Sequence, residues 1–127
     1  MRILLDTNIF LWCVLDDKKL TQHARELLMT ADAIYVSSAS IWEIAIKKSL
    51  GKIDSANDLE NLSEAINASG FLELPITSQH ASGVSSLKQI HRDPFDRILI
   101  AQAITEPLIF VTSDALLEGY SHLVKVV

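Results

Sequence analysis

The sequence predicts a three-layer α/β/α fold with a central, mainly parallel sheet of about five strands. Three observations carry that expectation. Short aliphatic runs of strand length alternate along the chain with longer segments of helical spacing. The first run, Ile3-Leu4-Leu5, shows no apolar–polar alternation, the pattern of a strand covered on both faces. That run ends on Asp6-Thr7-Asn8, and a late run, Leu108–Val111, ends on Thr112-Ser113-Asp114. Acids placed after parallel strands lie at the edge where open α/β sheets bind ligands.

The elements follow in order. After the first strand, Ile9–Leu15 reads as a short buried helix, and Thr21 caps a helix with Ala24, Leu27 and Leu28 on one face. Ala33–Val36 is a second strand, followed by a serine-rich turn, Ser37–Ser40. A helix is expected from Ile41 to about Leu50, stopped by Gly51. Residues 54–58 are polar and read as a loop, and Leu59, Leu62, Ala65 and Ile66 mark an amphipathic helix ending at Gly70. Phe71–Leu74 is a third strand, cut by Pro75. Thr77 caps a helix bearing Ala81, Val84 and Leu87. Asp93-Pro94, a cap followed by proline at the first helical position, opens a helix to Thr105 that ends at Glu106-Pro107. Leu108–Val111 and Leu123–Val127 complete the strands. With no linker, internal repeat or low-complexity stretch, residues 1–127 read as one domain.

Composition narrows the chemistry. Hydrophobic residues make up 49% of the chain, which excludes a disordered protein. Eleven basic against sixteen acidic residues give a net charge of −5, which argues against reliance on a broad basic surface for phosphate contacts. Nucleic acid remains open as a substrate where a divalent cation inverts the local field. Cys13 is the only cysteine, so neither an intramolecular disulfide nor a thiolate zinc cluster can form, and it reads as a small core residue. The apolar run before Asp6 is only the three residues Ile3–Leu5, too few for a secretory signal, and Ile9–Leu15 is too short to span a bilayer. The expectation is a cytoplasmic protein with no membrane partner.

Four acids stand apart from the solvated ones. Asp6 and Asp114 follow strands, Glu43 is embedded in the apolar Ile41-Trp42-Glu43-Ile44, and Asp96 lies in the first turn of a helix apolar nearly all round. Each has an ordinary structural use. Asp6 and Asp114 could cap helices, Ser40-x-x-Glu43 spells a capping box, Glu43 could pair with Lys47, and the helix dipole favours an anion at Asp96. Their conjunction argues otherwise. Asp96 shares its helix face with Leu99, Ile100 and Ala103, and inward acids need a cation. Converging carboxylates repel one another unless a hard divalent ion such as Mg²⁺ binds, and such a site suits phosphodiester hydrolysis. His91, Arg92 and Arg97 lie near Asp96. Arg97 could steady a phosphate or pair with an acid; His91 and Arg92 could contact phosphate, with solvated loop residues as the default. His80 could be core or surface, and no phosphate-binding glycine loop or nucleophile elbow is present.

The ordered set resembles the PIN-domain ribonucleases, most closely the VapC-like toxins of type II (VapBC) toxin–antitoxin pairs. Leu4-Leu5-Asp6-Thr7-Asn8, Ser40–Lys47, His91-Arg92-Asp93-Pro94-Phe95-Asp96-Arg97 with the following Ile98–Ala103, and Val111-Thr112-Ser113-Asp114 carry the resemblance, which covers nearly the whole chain. It implies a metal-dependent endoribonuclease that leaves a 5′-phosphate. Mg²⁺, or Mn²⁺ in its place, would be held by Asp6, Asp96 and Asp114, with Glu43 acting through water. Thr7, Asn8, Thr112 and Ser113 would support the site by hydrogen bonds. The resemblance also implies homodimers, heterotetramers or larger assemblies with a cognate antitoxin, and the helices between Ile41 and Ala68 as the antitoxin's surface. Two other readings stand beside it. One is a PIN-like binding module without catalysis. The other is an aspartyl-phosphate phosphatase of the haloacid-dehalogenase kind, which would want an acid where this chain has Asn8.

Overall fold

The computed structural model describes residues 1–53 and 61–127. Five strands form one sheet in the order β3-β2-β1-β4-β5, and every neighbouring pair is parallel. The strands are β1 (Arg2–Leu5), β2 (Ala33–Ser37), β3 (Leu72–Leu74), β4 (Ile109–Thr112) and β5 (Val124–Val126). The helices are α1 (Thr7–Val14), α2 (Gln22–Thr30), α3 (Ser38–Ser49), α4 (Leu62–Ala68), α5 (Ser78–Gly83) and α6 (Pro94–Thr105). Short 3₁₀ turns follow α5 at Val84–Ser86 and β4 at Ala115–Tyr120.

The unbroken aliphatic run of β1 has its explanation in the two cores. Ile3 and Leu5 pack with Ile9, Phe10, Ala24, Leu27, Ile44 and Ile66 on one face. Leu4 points the other way, into a core with Leu99, Ile100, Ala103, Phe110 and Leu117. Successive side chains of a strand face opposite sides, so a strand with helices on both faces needs an apolar residue at every position. The central position of β1 thus follows from three residues.

Local signals at the helix ends also act as read. The side chains of Thr21, Thr77 and Asp93 accept backbone N–H bonds at the starts of α2, α5 and α6. Gly51 and Gly70, at φ +69° and +75°, follow the ends of α3 and α4 in the left-handed region that glycine enters without strain. Several boundaries differ: α1 starts at Thr7 rather than Ile9, α5 ends at Gly83 with Val84 in a 3₁₀ turn and Leu87 beyond it, and the serine-rich segment changes in kind. The serine-rich segment is not a turn: Ser37 is the N-cap of α3, its hydroxyl accepting from the Ala39 N–H, and Ser38–Ser40 form the first helical turn. Four small residues let the helix start directly off β2. Ser40 is therefore no cap, and the capping-box reading of Glu43 fails. The loop expected over 54–58 and the first two residues of the helix expected from Leu59 lie outside the described residues; α4 starts at Leu62 with Asn61 as its cap. No helix among the described residues is long and apolar enough to cross a membrane.

The topology decides where a site can form. The chain steps outward from β1 to β2 and β3, then crosses to the other side of β1 for β4 and β5. Between β1 and β4 the direction of winding reverses, and such a switch point opens a crevice beyond the carboxyl ends of its two strands. Leu5 pairs with Val111 in register, so Asp6 and Thr112 leave the sheet side by side at that crevice.

Candidate metal centre

Asp6 holds the middle of the site. Its N–H bonds the Val111 carbonyl, which continues the β1–β4 ladder by one residue. Its Oδ1 accepts the Thr7 N–H at 2.8 Å, and its Oδ2 accepts the Thr112 hydroxyl at 2.6 Å. Asp6 is thus the N-cap of α1 while its carboxylate also faces the crevice, so capping leaves a ligand role open. Burial raises its pKa above the usual carboxylate value, and Glu43 and Asp114 raise it further, against the lowering effect of the Thr112 and Thr7 hydrogen bonds.

Thr112 joins two of the acids. Fully buried, its hydroxyl donates to Asp6 and accepts the Asp114 N–H at 3.0 Å. Asp114 in turn caps the 3₁₀ turn, its Oδ1 accepting from the Leu116 N–H. On the other side the Thr7 hydroxyl donates to Ser40 Oγ at 2.9 Å, between two buried residues. A hydrogen-bonded chain therefore runs from Ser40 through Thr7, Asp6 and Thr112 to Asp114, tying α3, β1 and β4 together around the crevice. Ser40 is three residues before Glu43, which is buried and holds Lys47 Nζ on its Oε2 at 2.8 Å.

Asp96 enters from the first turn of α6, inward as its helix face predicts, with 17% of its side chain exposed. Its pKa is pushed up to about 7, first by burial and then by repulsion from Asp6, Asp93, Glu43 and Asp114. Of the four acids singled out in the sequence, Asp6 and Asp96 thus each lie within electrostatic reach of the other three.

His91 stands among them. Its Nε2 is 3.8 Å from Asp96 Oδ2 and 3.8 Å from Asp114 Oδ2, and the three side chains could together place one ligand atom each around a cation. The default of a solvated loop residue does not describe it; Arg92, beside it, is exposed. Arg97 turns away from the acids. Its guanidinium donates to the carbonyls of Val84, Lys88 and His91, ahead of α6, and to the Tyr120 hydroxyl. Asn8 is exposed on α1, and Ser113 is exposed between Thr112 and Asp114. His80 is a core residue, its Nε2 2.6 Å from Glu106 Oε2. Burial pushes the Cys13 thiol up to about 11, away from nucleophile chemistry.

Two partners in this site were not legible as such. Ser40 was hidden by its resemblance to a cap. Tyr120, whose hydroxyl receives the His91 N–H at 2.7 Å, is 29 residues away and carries no local signal.

The donor set suits a hard divalent cation: carboxylate oxygens crowd one crevice, where burial and then their mutual repulsion raise the pKa of Asp96. Comparison with known proteins agrees with the architecture. A family model described as PIN domain matches residues 3–122. Ribonuclease VapC22 of Mycobacterium tuberculosis (strain ATCC 25618 / H37Rv) is 27% identical over 124 residues, which span 94% of this chain and 92% of that protein. Among solved structures, VapBC2 from Rickettsia felis bound to a DNA fragment from their promoter is similar at a TM-score of 0.74 and 17% identity, covering 99% of this chain and 98% of that one. A toxin–antitoxin complex from Klebsiella pneumoniae is similar at 0.66 and 18%, covering 98% and 96%. DNA-bound VapBC from Salmonella typhimurium is similar at 0.65 and 20%, covering 100% and 97%. At those identities the structural likeness concerns the fold. With the family model spanning nearly its whole length, the chain belongs to the PIN domain family.

Proposed function

We propose that this protein is a divalent-metal-dependent endoribonuclease, the toxin of a toxin–antitoxin pair, acting on RNA in the cytoplasm. The observation that carries the reading is the convergence of Asp6, Glu43, Asp96 and Asp114 on the crevice between β1 and β4, with Asp96 pushed up to about 7. The relative named a ribonuclease and the toxin–antitoxin complexes of like fold support it.

Asp6, Asp96 and Asp114 are the residues that would hold Mg²⁺, with Mn²⁺ as a substitute, and Glu43 would complete the set through water. When bound, the ion neutralises phosphate charge and lowers the pKa of a water to make it a nucleophile. The chain's own part is placement. Thr112 and the Thr7 N–H fix both oxygens of Asp6, so this carboxylate has little freedom to reorient. Lys47 holds one oxygen of Glu43 and offsets its charge. Hydrolysis at the 3′-oxygen side of the phosphodiester leaves a 5′-phosphate.

A partner surface adjoins the crevice. Trp42 and Phe95, each next to a site acid in sequence, meet edge to face at 5.2 Å and border an apolar cleft of about 510 Å³ with Ile46, Ile76 and Ile98. Trp42 is 61% exposed, and an aromatic left in water beside a cleft is the pattern of a protein contact. A cognate antitoxin or a second copy of the chain would cover it.

The test is cleavage of single-stranded RNA with Mg²⁺ or Mn²⁺ by wild type, Asp6→Asn and Asp96→Asn. Metal-dependent cleavage by wild type, lost in both folded variants, is expected. Full cleavage by folded Asp96→Asn, or cleavage in EDTA, would overturn the reading. Metal binding without cleavage would instead favour a binding module.

A further inference from the structure

His91 is held from two sides. Its backbone N–H donates to the Tyr120 hydroxyl at 2.7 Å, and its carbonyl receives Tyr120 Oη at 3.3 Å and Arg97 Nη1 at 3.5 Å. Arg97 also bonds Tyr120 Oη at 3.1 Å and the carbonyls of Lys88 and Val84, so one guanidinium clasps the whole loop. The ring is oriented separately: Nδ1 accepts the Asp93 N–H at 3.0 Å, and Asp93 is itself fixed as the N-cap of α6.

That single bond decides what the other nitrogen can do. With Nδ1 used as an acceptor, the neutral ring carries its proton on Nε2. Nε2 therefore presents an N–H, not a lone pair, to the space between Asp96 and Asp114. At 3.8 Å from each carboxylate it is too far for a hydrogen bond to either. Ligation of a cation by Nε2 would move the proton to Nδ1, where it would meet the Asp93 N–H head-on. His91 lies within ligand range, but its tautomer is that of a donor.

A donor aimed between metal-holding carboxylates calls for an oxygen acceptor arriving with the ion. Arg97 is bonded to the loop carbonyls and Lys47 to Glu43. We propose that His91 Nε2–H donates to a non-bridging oxygen of the RNA phosphodiester at this centre, and that Arg97 and Tyr120 are positioning residues for it. The inference rests on the ribonuclease reading for its substrate class, and its test does not require turnover.

The experiment measures Mn²⁺ affinity by electron paramagnetic resonance. It also measures binding of an uncleavable 2′-O-methyl oligoribonucleotide in Mn²⁺ by fluorescence anisotropy, for wild type, His91→Leu and His91→Gln. Losing a hydrogen bond to a charged group is worth roughly tenfold or more in affinity. His91→Leu should bind the oligonucleotide about tenfold more weakly while its Mn²⁺ affinity stays within about twofold; His91→Gln, which keeps an N–H donor, should recover most of the loss. Tyr120→Phe should weaken oligonucleotide binding in wild type and have no further effect in the His91→Leu background. Equal losses of Mn²⁺ and oligonucleotide affinity in His91→Leu would make the residue a ligand and overturn the proposal. So would unchanged oligonucleotide binding, or a wild type that does not bind the oligonucleotide. Metal-dependent oligonucleotide binding that responds to His91 without any RNA cleavage would remove the ribonuclease reading and leave this one standing.

Discussion

Replacing Asp96 with asparagine should make the metal-free protein more stable, an unusual outcome for a partly buried site residue. The folded carboxyl has its pKa near 7 against an ordinary 3.8, through burial and four neighbouring acids. An acid whose folded value is raised binds its proton more tightly in the native state, so stability falls as pH rises from about 4 to about 7. Above pH 7 the full cost of ionising Asp96 is present. The displacement corresponds to a ceiling of about 4 kcal/mol, and water at the exposed part of the side chain reduces this to about 2 kcal/mol. Asparagine keeps the shape and removes the charge. Urea denaturation in EDTA, followed by circular dichroism, should show Asp96→Asn more stable by about 2 kcal/mol at pH 8.5, and by about half that or less at pH 5. Saturating Mn²⁺ should reverse the order at pH 8.5, because only wild type gains binding free energy. A folded Asp96→Asn no more stable than wild type at pH 8.5, or a gain equal at both pH values, would refute the reasoning.

Three further outcomes are expected. Mn²⁺ affinity should fall as pH drops below 7, because Asp96 must lose its proton to hold a cation; a calorimetric titration flat between pH 6 and 8 would contradict this. Thr112→Val removes the hydroxyl that serves Asp6 and the Asp114 N–H, and should cost about 2 kcal/mol in urea denaturation together with a loss of Mn²⁺ affinity. His80→Ala should destabilise by a similar amount, about 2 kcal/mol, through the broken contacts to Glu106 and Thr77, yet leave Mn²⁺ affinity unchanged, since the residue lies outside the acid cluster. A change in metal affinity there would mean that α5 is coupled to the site.

Much of the architecture was legible because its signals are local. An unbroken aliphatic run marks a strand covered on both faces, and Thr21, Thr77 and Asp93 mark helix starts through their own side chains. The serine run misled for the same reason. Serine favours both turns and N-caps, and only the backbone settled that Ser37 caps while Ser40 is helical. Asp96 was readable as inward from its helix face. His91 and Arg97 were not, since one loop conformation placed the imidazole at the acids and drew the guanidinium away.

By itself the sequence determined the kinds of element, their order and the four acids, two after strands and two on helices, because propensity, capping and periodicity act over a few residues. Only the tertiary structure decided that β4 crosses to the far side of β1, which brings Asp6 and Thr112 to one crevice. It also decided that a threonine hydroxyl joins two acids, that a tyrosine 29 residues away holds His91, and that burial, with repulsion among the carboxylates, raises Asp96. Those facts depend on distances between residues far apart in the chain, and through-space electrostatics and hydrogen bonds have no counterpart in local pattern.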